Sequence, residues 1–361
     1  MRVKRGGAHR LLGLIFALFW LSTAAGESCR IAFDMGSSGI RAGSSGSPVT
    51  PRADIDYLRP LWAGRGLDET LVPTRKALQE LPEQGGFPAG CERVGGGFSA
   101  WRLAVGQNRS ALAGLLGQLH ADSGVAILVI PQLQEGGYGY LGARLLLGDK
   151  LRSSHVLDIG GGSLQVAGEQ STYGEALGQK IWHRQLCNAV REKDTAPCEL
   201  QPMAAAELTH ARGLAQVSLA GVASALPGRI SMTAISRPVS RGILPAVARL
   251  SARSAAHQIR LADLSAAIER LAPLQRNEMA ALLGGSPTHQ AYLLSDMLLG
   301  EGLMRATGNQ QLRVAELDLT NLPGLLADDR AYQWGRRYAC YLDRLLSHGV
   351  EAYSSDPATC P

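Results

Sequence analysis

The sequence predicts an α/β protein of two lobes, and three observations support this fold class. The chain has 361 residues, a length typical of two domains. Segments with strand-like alternation and segments with helical spacing follow one another along it, as in α/β folds. Two strand-rich stretches, beginning near residues 31 and 156, carry the same glycine-rich motif. A duplicated domain with a cleft between the two copies is therefore expected.

The second motif is the more informative of the two. An apolar run ends at Asp158, and Gly160, Gly161, Gly162 and Ser163 follow it. Glycine has no Cβ, so such a turn can point successive backbone N–H groups at an anion. The alternating residues after the turn predict a second strand, whereas a dinucleotide-binding turn needs a helix there. The motif predicts a hairpin that clasps phosphate; an ordinary tight hairpin is the alternative.

The first motif repeats this plan. Asp34 corresponds to Asp158 and Gly36 corresponds to Gly160, and a second strand follows in each case. Aspartate at a strand end is a suitable ligand for a hard cation that neutralises phosphate charge. We expect the two hairpins to face each other across a cleft and to hold a phosphate from both sides.

Glu135 is the candidate catalytic carboxylate. It follows the predicted buried strand at residues 125–130, opens a predicted helix, and precedes Asp158 by 23 residues. In that position it could polarise a water molecule in the cleft. The alternative is a solvated glutamate in a first helical turn, where a negative charge favours the helix dipole. Composition alone favours this alternative.

The N-terminus is predicted to be a signal peptide, residues 1–26. Four basic residues precede the apolar run from Leu11 to Leu21, and small residues end at Gly26. An uncleaved membrane anchor is the alternative, although the run is short for a bilayer. Removing this segment lowers the net charge from +5 to +1, because it contains four basic and no acidic residues. The mature chain therefore shows no basic footprint for nucleic acid, and a secreted or periplasmic location is expected.

Six cysteines follow the predicted signal peptide, and their even number is consistent with disulfides outside the cytoplasm. Six cysteines permit 15 connectivities, so sequence alone leaves the pairing open. Free buried thiols are a further alternative, and no Cys-x-x-Cys spacing indicates zinc. Proximity along the chain favours two bridges and leaves a third: Cys187–Cys198, Cys340–Cys360 and Cys29–Cys91.

The remaining chain is divided by its periodicity. We predict a first lobe over residues 27–130, a second lobe over 131–329, and a C-terminal segment, 330–361, that packs back on the first lobe. Further predictions are a strand from Asp54 to Leu61, a glycine-rich loop from Gly85 to Gly97, and single helices over Met203–Leu226 and Arg330–His348.

Three segments resemble a known family. Residues 34–41 are similar to its first loop, residues 134–136 lie where it has Glu-Glu-Ala, and residues 158–163 match its second loop. The family is the exopolyphosphatase / guanosine pentaphosphate phosphatase (Ppx/GppA) group, within the actin-like (ribonuclease-H-like) fold. The resemblance covers roughly residues 30–320. It implies two duplicated lobes with an active site in the interlobe cleft.

The resemblance also implies roles for the candidate residues. Glu135 would be the base that activates water, and Asp34 and Asp158 would hold Mg²⁺ or another divalent cation. The substrate would be polyphosphate or another phosphoanhydride. From the composition, we expect neither a nucleic-acid partner nor a stable membrane span after signal cleavage, and a homodimer is an open expectation. The phosphate-binding residues would be Gly36, Ser37, Ser38, Arg41, Gly160, Gly161, Gly162 and Ser163.

The sequence departs from the family in its later motifs. The segment 231–241 lacks the family's Gly-Thr-Gly-Gly-Thr, and residues 319–322 replace its Gly-x-Arg-Glu-Gly. Ser38 and Gly39 stand where the first loop usually has asparagine and serine, and Arg102 is the nearest candidate for the family's phosphate-binding arginine. These departures leave a second hypothesis open, a catalytically inactive relative that binds phosphate, polyphosphate or a protein partner. An ATP-dependent kinase of the same fold is a third.

Overall fold

The computed structural model describes residues 29–251, 257–286, 290–315, 317 and 321–361. The predicted signal peptide lies outside these residues, as does part of the segment 319–322. Within the ranges just given, no helix is both long and apolar enough to cross a membrane.

The first lobe is built on a sheet of five strands in the order β3-β2-β1-β4-β5. The first three strands form an antiparallel meander, and β4 and β5 are parallel to β1. The strands are β1 (Arg30–Met35), β2 (Gly39–Ser44), β3 (Arg52–Asp54), β4 (Glu92–Gly97) and β5 (Ala126–Val129).

The second lobe repeats this topology in a sheet ordered β10-β11-β9-β6-β7-β8. Strands β6, β7 and β8 form the antiparallel meander, β9 and β11 run parallel to β6, and β10 is an added antiparallel edge. The strands are β6 (His155–Ile159), β7 (Leu164–Gly168), β8 (Thr172–Glu175), β9 (Met232–Ala234), β10 (Gln258–Arg260) and β11 (Gln311–Val314).

Helices cover the sheets of both lobes. Those that accompany the first sheet are α1 (Leu58–Trp62), α2 (Leu71–Gln84), α3 (Ser99–Gln107) and α4 (Arg109–Ser123). The next, α5 (Gln132–Leu147), leads into the second lobe and packs on β7 and β8. The second lobe continues with α6 (Gln179–Arg191), α7 (Ala205–Ser218), α8 (Val222–Ala225), α9 (Leu244–Leu250), α10 (Leu261–Leu271), α11 (Arg276–Leu283) and α12 (Leu293–Ala306).

The C-terminal helices α13 (Leu322–Ala327), α14 (Asp329–Arg336) and α15 (Tyr338–His348) pack on the first sheet. Leu322 already lies in the first hydrophobic core, before the boundary that the sequence predicted at residue 329. The Tyr338 hydroxyl donates a hydrogen bond to the Ile127 carbonyl at 3.0 Å. The chain thus crosses between the lobes twice, at α5 and before α13.

Two hydrophobic cores, one for each sheet, account for most of the buried apolar side chains. Trp101 and Trp334 are fully buried in the first, and Trp182 is fully buried in the second. Each core is therefore organised around its own sheet, and the polar cleft lies where the two lobes meet.

Four sequence-based element predictions were wrong in detail. The predicted loop at residues 85–97 contains β4, whose glycines pack too closely for larger side chains: a Cβ on Gly97 would lie 2.8 Å from Cγ of Trp101. The predicted strand at 54–61 contains α1, which begins where the Leu58 N–H donates to the Asp56 side chain. The two long predicted helices are each divided in two, the last at Arg337.

Three disulfides tie down the chain, and they join the cysteines that proximity favours. They are Cys29–Cys91 between the starts of β1 and β4, Cys187–Cys198 between α6 and the loop that follows it, and Cys340–Cys360 between α15 and the C-terminus. No cysteine in the described part of the chain is left free. Bridges of this kind are typical of an oxidising compartment.

Candidate active site

The duplicated hairpins place the two aspartates at corresponding positions. Asp34 is the residue before the last in β1 and pairs with Arg41, and Asp158 is the residue before the last in β6 and pairs with Gln165. Both side chains are half-buried, and both line one cleft of about 300 Å³ between the lobes. The sheets therefore bring together carboxylates that are far apart in the sequence.

The two glycine-rich turns meet at the bottom of this cleft. A Cβ on Gly161 would lie 2.2 Å from Oγ of Ser37, so the two turns are in direct contact. Gly39 has φ of +146°, and a Cβ there would lie 2.2 Å from the Ala53 carbonyl oxygen. The family's first loop usually has serine at this position. Here the residue is glycine because β3 passes too close for any larger side chain.

Helix α6 supports the second turn from behind. The backbone N–H of Gln179 donates to the Gly160 carbonyl at 2.9 Å, and that of Lys180 donates to the Gly161 carbonyl at 2.8 Å. Gly178, just before the helix, packs against the turn so closely that a Cβ would lie 2.3 Å from the Ser163 nitrogen. The carbonyls of Gly160 and Gly161 are therefore hydrogen-bonded to the start of α6, which fixes the conformation of the turn.

Glu135 lies in the first turn of α5 with only 7% of its surface exposed. Its Oε2 lies 2.6 Å from Nη2 of Arg102, and the Ser163 hydroxyl lies 3.5 Å from the same oxygen. Arg102 also donates to the Ile130 carbonyl at 2.9 Å. The arginine that the sequence suggested for phosphate thus contacts the candidate base.

Helix α5 is fixed in place by the C-terminal segment. The Tyr138 and Tyr353 hydroxyls each donate to Oδ2 of Asp328 at 2.6 Å. A Cβ on Gly324 would lie 2.5 Å from Cα of Tyr138, so α13 packs tightly on α5. The position of Glu135 therefore depends on contacts from the far end of the chain.

The three carboxylates of the cleft repel one another. Burial raises the pKa of Asp34 to about 7, and the nearby Glu135 adds to the rise. Burial likewise raises the pKa of Asp158 to about 7, with contributions from Glu135 and Asp34. Burial also raises the pKa of Glu135, although Arg102 acts in the opposite direction. A hard divalent cation would relieve this repulsion, and carboxylate oxygens are its preferred ligands.

Most of the predicted site residues line the cleft, and one does not. Gly162 faces α3 instead, where a Cβ would lie 2.8 Å from Oγ of Ser99. The residues that line the cleft are Asp34, Gly36, Ser37, Ser38, Arg41, Glu135, Asp158, Gly160, Gly161 and Ser163.

Sequence reasoning missed several residues of the cleft wall. Ser236 and Arg237 follow β9 just as Phe98 and Ser99 follow β4, its counterpart in the first lobe. Extending the duplication beyond the hairpins could have found these residues. Asn321 also lines the cleft, and its one sequence signal is that residues 319–322 stand where the family has Gly-x-Arg-Glu-Gly.

Comparisons with solved structures confirm the predicted two-lobed, actin-like α/β fold. The Aquifex aeolicus Ppx/GppA family member superimposes with a TM-score of 0.61 at 14% identity, over 83% of this chain and 96% of that chain. An exopolyphosphatase-like protein gives 0.60 at 16% identity, over 86% and 99%. An exopolyphosphatase from Cytophaga hutchinsonii gives 0.58 at 14% identity, over 82% and 96%.

The sequence comparisons identify the family. No curated protein matches the chain significantly. A profile of the Ppx/GppA phosphatase family matches residues 114–321, which include Glu135, the second hairpin and Asn321. This match covers more than half of the chain and agrees with the resemblance carried by the loops. The chain therefore belongs to the Ppx/GppA phosphatase family.

Proposed function

We propose that this protein is an exported phosphohydrolase that releases terminal phosphate from polyphosphate or a related phosphoanhydride. The observation that carries the proposal is the meeting of Asp34, Glu135 and Asp158 in one cleft between two glycine-rich turns. Phosphoryl transfer to water needs positioning, neutralisation of charge and one oriented nucleophile. The residues of this cleft are suited to each of these tasks.

In this proposal Asp34 and Asp158 hold Mg²⁺ or another divalent cation, directly or through water. Their hard oxygen donors and their mutual repulsion fit such an ion. When bound, the ion would supply neutralisation of the charge on the phosphoryl oxygens.

Glu135 is the proposed general base. The hydrogen bonds described for its carboxylate all go to Oε2, from Arg102 and Ser163. Oε1 is therefore the oxygen that we expect to accept the proton of the attacking water. The ion pair with Arg102 keeps the carboxylate in one orientation, which favours attack along a single line.

The phosphate would be bound by backbone amides, hydroxyls and one guanidinium. Fixed N–H donors suit the terminal phosphoryl group because they need no reorganisation when charge develops on its oxygens. Arg41 would add a permanent positive charge at the same end of the cleft. The proposed set is Gly36, Ser37, Ser38, Arg41, Gly160, Gly161 and Ser163; Gly162 is left out because it faces α3 and does not line the cleft.

The cleft wall favours an inorganic chain over a nucleotide. Among the described lining residues the one aromatic ring belongs to Phe98, which is 1% exposed and offers no face to a base. Arg41, Arg52 and Arg237 are among the residues that line the cleft, and their positive charges suit a phosphate chain, although Arg52 is ion-paired with Asp54.

Export is part of the proposal. The three disulfides fit an oxidising compartment, and the predicted signal peptide gives a route to it. We therefore propose that the mature protein works in the periplasm or outside the cell. Whether it forms a homodimer stays a prediction.

The experiment compares phosphate release from polyphosphate by the mature protein and by its Glu135→Gln variant, with Mg²⁺ present. We expect release by the wild type, loss on chelation of the metal, and loss in Glu135→Gln. Glu169→Gln is the matched control, because Glu169 is exposed. Equal release by wild type and Glu135→Gln would remove Glu135 from the mechanism.

The second hypothesis, a catalytically inactive relative that binds phosphate, polyphosphate or a protein partner, is favoured by one observation. The segments 231–241 and 319–322 lack the two late motifs of the family, so only the first half of the family's site is kept in this sequence. Magnesium-dependent binding of polyphosphate without any turnover by the wild type would select this hypothesis over hydrolysis.

A further inference from the structure

The segments in which the sequence departs from the family line the same cleft as the aspartates. Ser236 follows β9, and Asn321 immediately precedes α13. Each is only 5% exposed, although both have polar side chains. These replaced segments therefore remain part of the site.

Both side chains carry an unsatisfied polar atom. Within the described residues, Oγ of Ser236 and Oδ1 of Asn321 have no hydrogen-bond partner. Buried polar atoms are nearly always paired, because leaving one unpaired is costly. Both residues line one cleft, so a ligand there could complete their hydrogen bonds once each side chain turns its covered atom towards the cleft.

Their positions separate them from the two turns. The Ile235 N–H donates to the Leu157 carbonyl at 2.9 Å, so Ser236 lies one strand away from Asp158 at the same sheet edge. A Cβ on Gly139 would lie 3.7 Å from Oδ1 of Asn321. Gly139 is about one helical turn beyond Glu135 on α5. Neither residue belongs to the turns that would hold the terminal phosphoryl group.

We propose that Ser236 and Asn321 form a second substrate subsite, which hydrogen-bonds the phosphoanhydride chain beyond its terminal phosphoryl group. This inference rests on the proposed function. The Ser236 hydroxyl can donate to a phosphate oxygen. Rotation of the Asn321 carboxamide about its last bond presents NH₂ to a phosphate oxygen, or its oxygen to a hydrated cation.

The subsite makes the protein selective for chain length. We expect orthophosphate to bind at the two turns without contacting either residue, and tripolyphosphate to extend from the turns along the cleft wall to Ser236 and Asn321. Arg237, which also lines the cleft, adds positive charge beside Ser236. The longer anion therefore gains hydrogen bonds that orthophosphate cannot make.

The experiment measures dissociation constants for tripolyphosphate and orthophosphate with Mg²⁺ present, in a Glu135→Gln background that prevents turnover. We expect Ser236→Ala and Asn321→Ala each to raise the constant for tripolyphosphate about tenfold, since each removes a hydrogen bond to a charged group. The constant for orthophosphate should not change.

Ser44→Ala is the matched control. Ser44 is also buried with an unpaired hydroxyl, but it lies at the end of β2 away from the turn. It should leave both constants unchanged. Ser236→Thr keeps the hydroxyl and should retain tight binding of tripolyphosphate. If an alanine variant does not fold, Ser236→Thr and Asn321→Asp serve instead, and Asn321→Asp should weaken tripolyphosphate binding by charge repulsion.

Three outcomes would overturn the subsite: unchanged constants in folded variants, equal weakening for both anions, or no binding of tripolyphosphate by the parent protein. The proposed hydrolysis is tested separately by turnover in the wild type. Selective weakening without any wild-type turnover would keep the subsite and reject hydrolysis. Turnover with unchanged binding constants would do the reverse.

Discussion

Nη2 of Arg102 lies 2.6 Å from Oε2 of Glu135, and both side chains are nearly buried. The arginine comes from α3 in the first lobe, and the glutamate opens α5, which leads into the second. Arg102 lowers the pKa of a carboxyl that burial raises. The pair therefore ties the ionisation of the candidate base to the contact between the lobes.

Replacing Arg102 should shift the pH dependence of the reaction. In Arg102→Ala the pKa of Glu135 loses its lowering partner and rises. Once it exceeds the assay pH, each further unit reduces the ionised fraction about tenfold. We expect the acidic limb of the pH–rate profile for phosphate release to move to higher pH, with activity partly recovered in alkaline buffer.

The same variant should be less stable, because a buried carboxylate is left without its partner, at a cost of about 3–5 kcal/mol. Arg75→Ala is the control, since Arg75 pairs with Asp122 on the surface and should contribute about 1 kcal/mol or less. A profile for Arg102→Ala that coincides with the wild type would show that Arg102 does not act on the base.

A single methyl group at Gly178 should disrupt the second turn. In Gly178→Ala the new Cβ would lie 2.3 Å from the Ser163 nitrogen and 2.5 Å from the Gly160 oxygen. These are backbone atoms, so the turn itself must move. We expect a loss of about 1–3 kcal/mol in the free energy of unfolding, as in other overpacked sites, and a greater loss of phosphate binding.

Gly137→Ala is the matched control for Gly178→Ala. Gly137 lies inside α5 with no atom within 4 Å of a Cβ, so alanine should stabilise the helix by about 0.5–1 kcal/mol. Chemical denaturation and binding of orthophosphate measure both effects. Wild-type phosphate binding by Gly178→Ala would mean that α6 does not fix the turn.

The hairpins were predictable from sequence because both copies have the same residue pattern, an apolar run followed by Asp-x-Gly and a second strand. Asp34 and Asp158 occupy the same register in two copies of one topology, so finding one motif located the other. Strand β4 was not predictable, because its glycines are selected by contacts with Trp101 and Met35 rather than by strand propensity. The local sequence pattern did not indicate a strand here, because side chains distant in the sequence determine which residues fit in β4.

The cleft wall shows the same limit. The contact of Arg102 with Glu135 joins residues of two separate helices. The sequence around each residue does not indicate which residue it contacts. Asn321 is brought to the cleft by the return of the chain at α13, a crossing that periodicity does not reveal. The meeting of Asp34, Glu135 and Asp158 in one cleft was therefore predicted, through the duplication and the family resemblance, whereas the contact of Arg102 with Glu135 was not.

Removing the longest-range disulfide should cost more than removing the shortest. Cys29 and Cys91 are 62 residues apart, and Cys187 and Cys198 are 11 apart. Loop-closure entropy gives about 4 kcal/mol for the first and about 3 kcal/mol for the second. Urea unfolding of the two double alanine variants should show this order, with the remaining bridges intact; the reverse order would contradict an entropic origin.

The buried carboxyl of Asp296 should make stability depend on pH. It is 3% exposed, its Oδ2 accepts a hydrogen bond from Gln179 at 2.5 Å, and its Oδ1 has no partner among the described residues. Burial raises its pKa from 3.8 to about 8. Between these values the folded state holds a proton that the unfolded state has lost, so the free energy of unfolding falls as pH rises.

Asp296→Asn removes this titration while keeping an oxygen for Gln179. Its unfolding free energy should exceed that of the wild type by an amount that grows from pH 4 to pH 8, by at most about 1.4 kcal/mol per pH unit. Asp343→Asn is the control, because Asp343 is exposed on α15 and in water in both states. Urea unfolding at four values across this range measures the difference, and a constant gap would mean that Asp296 is already ionised in the folded protein at pH 4.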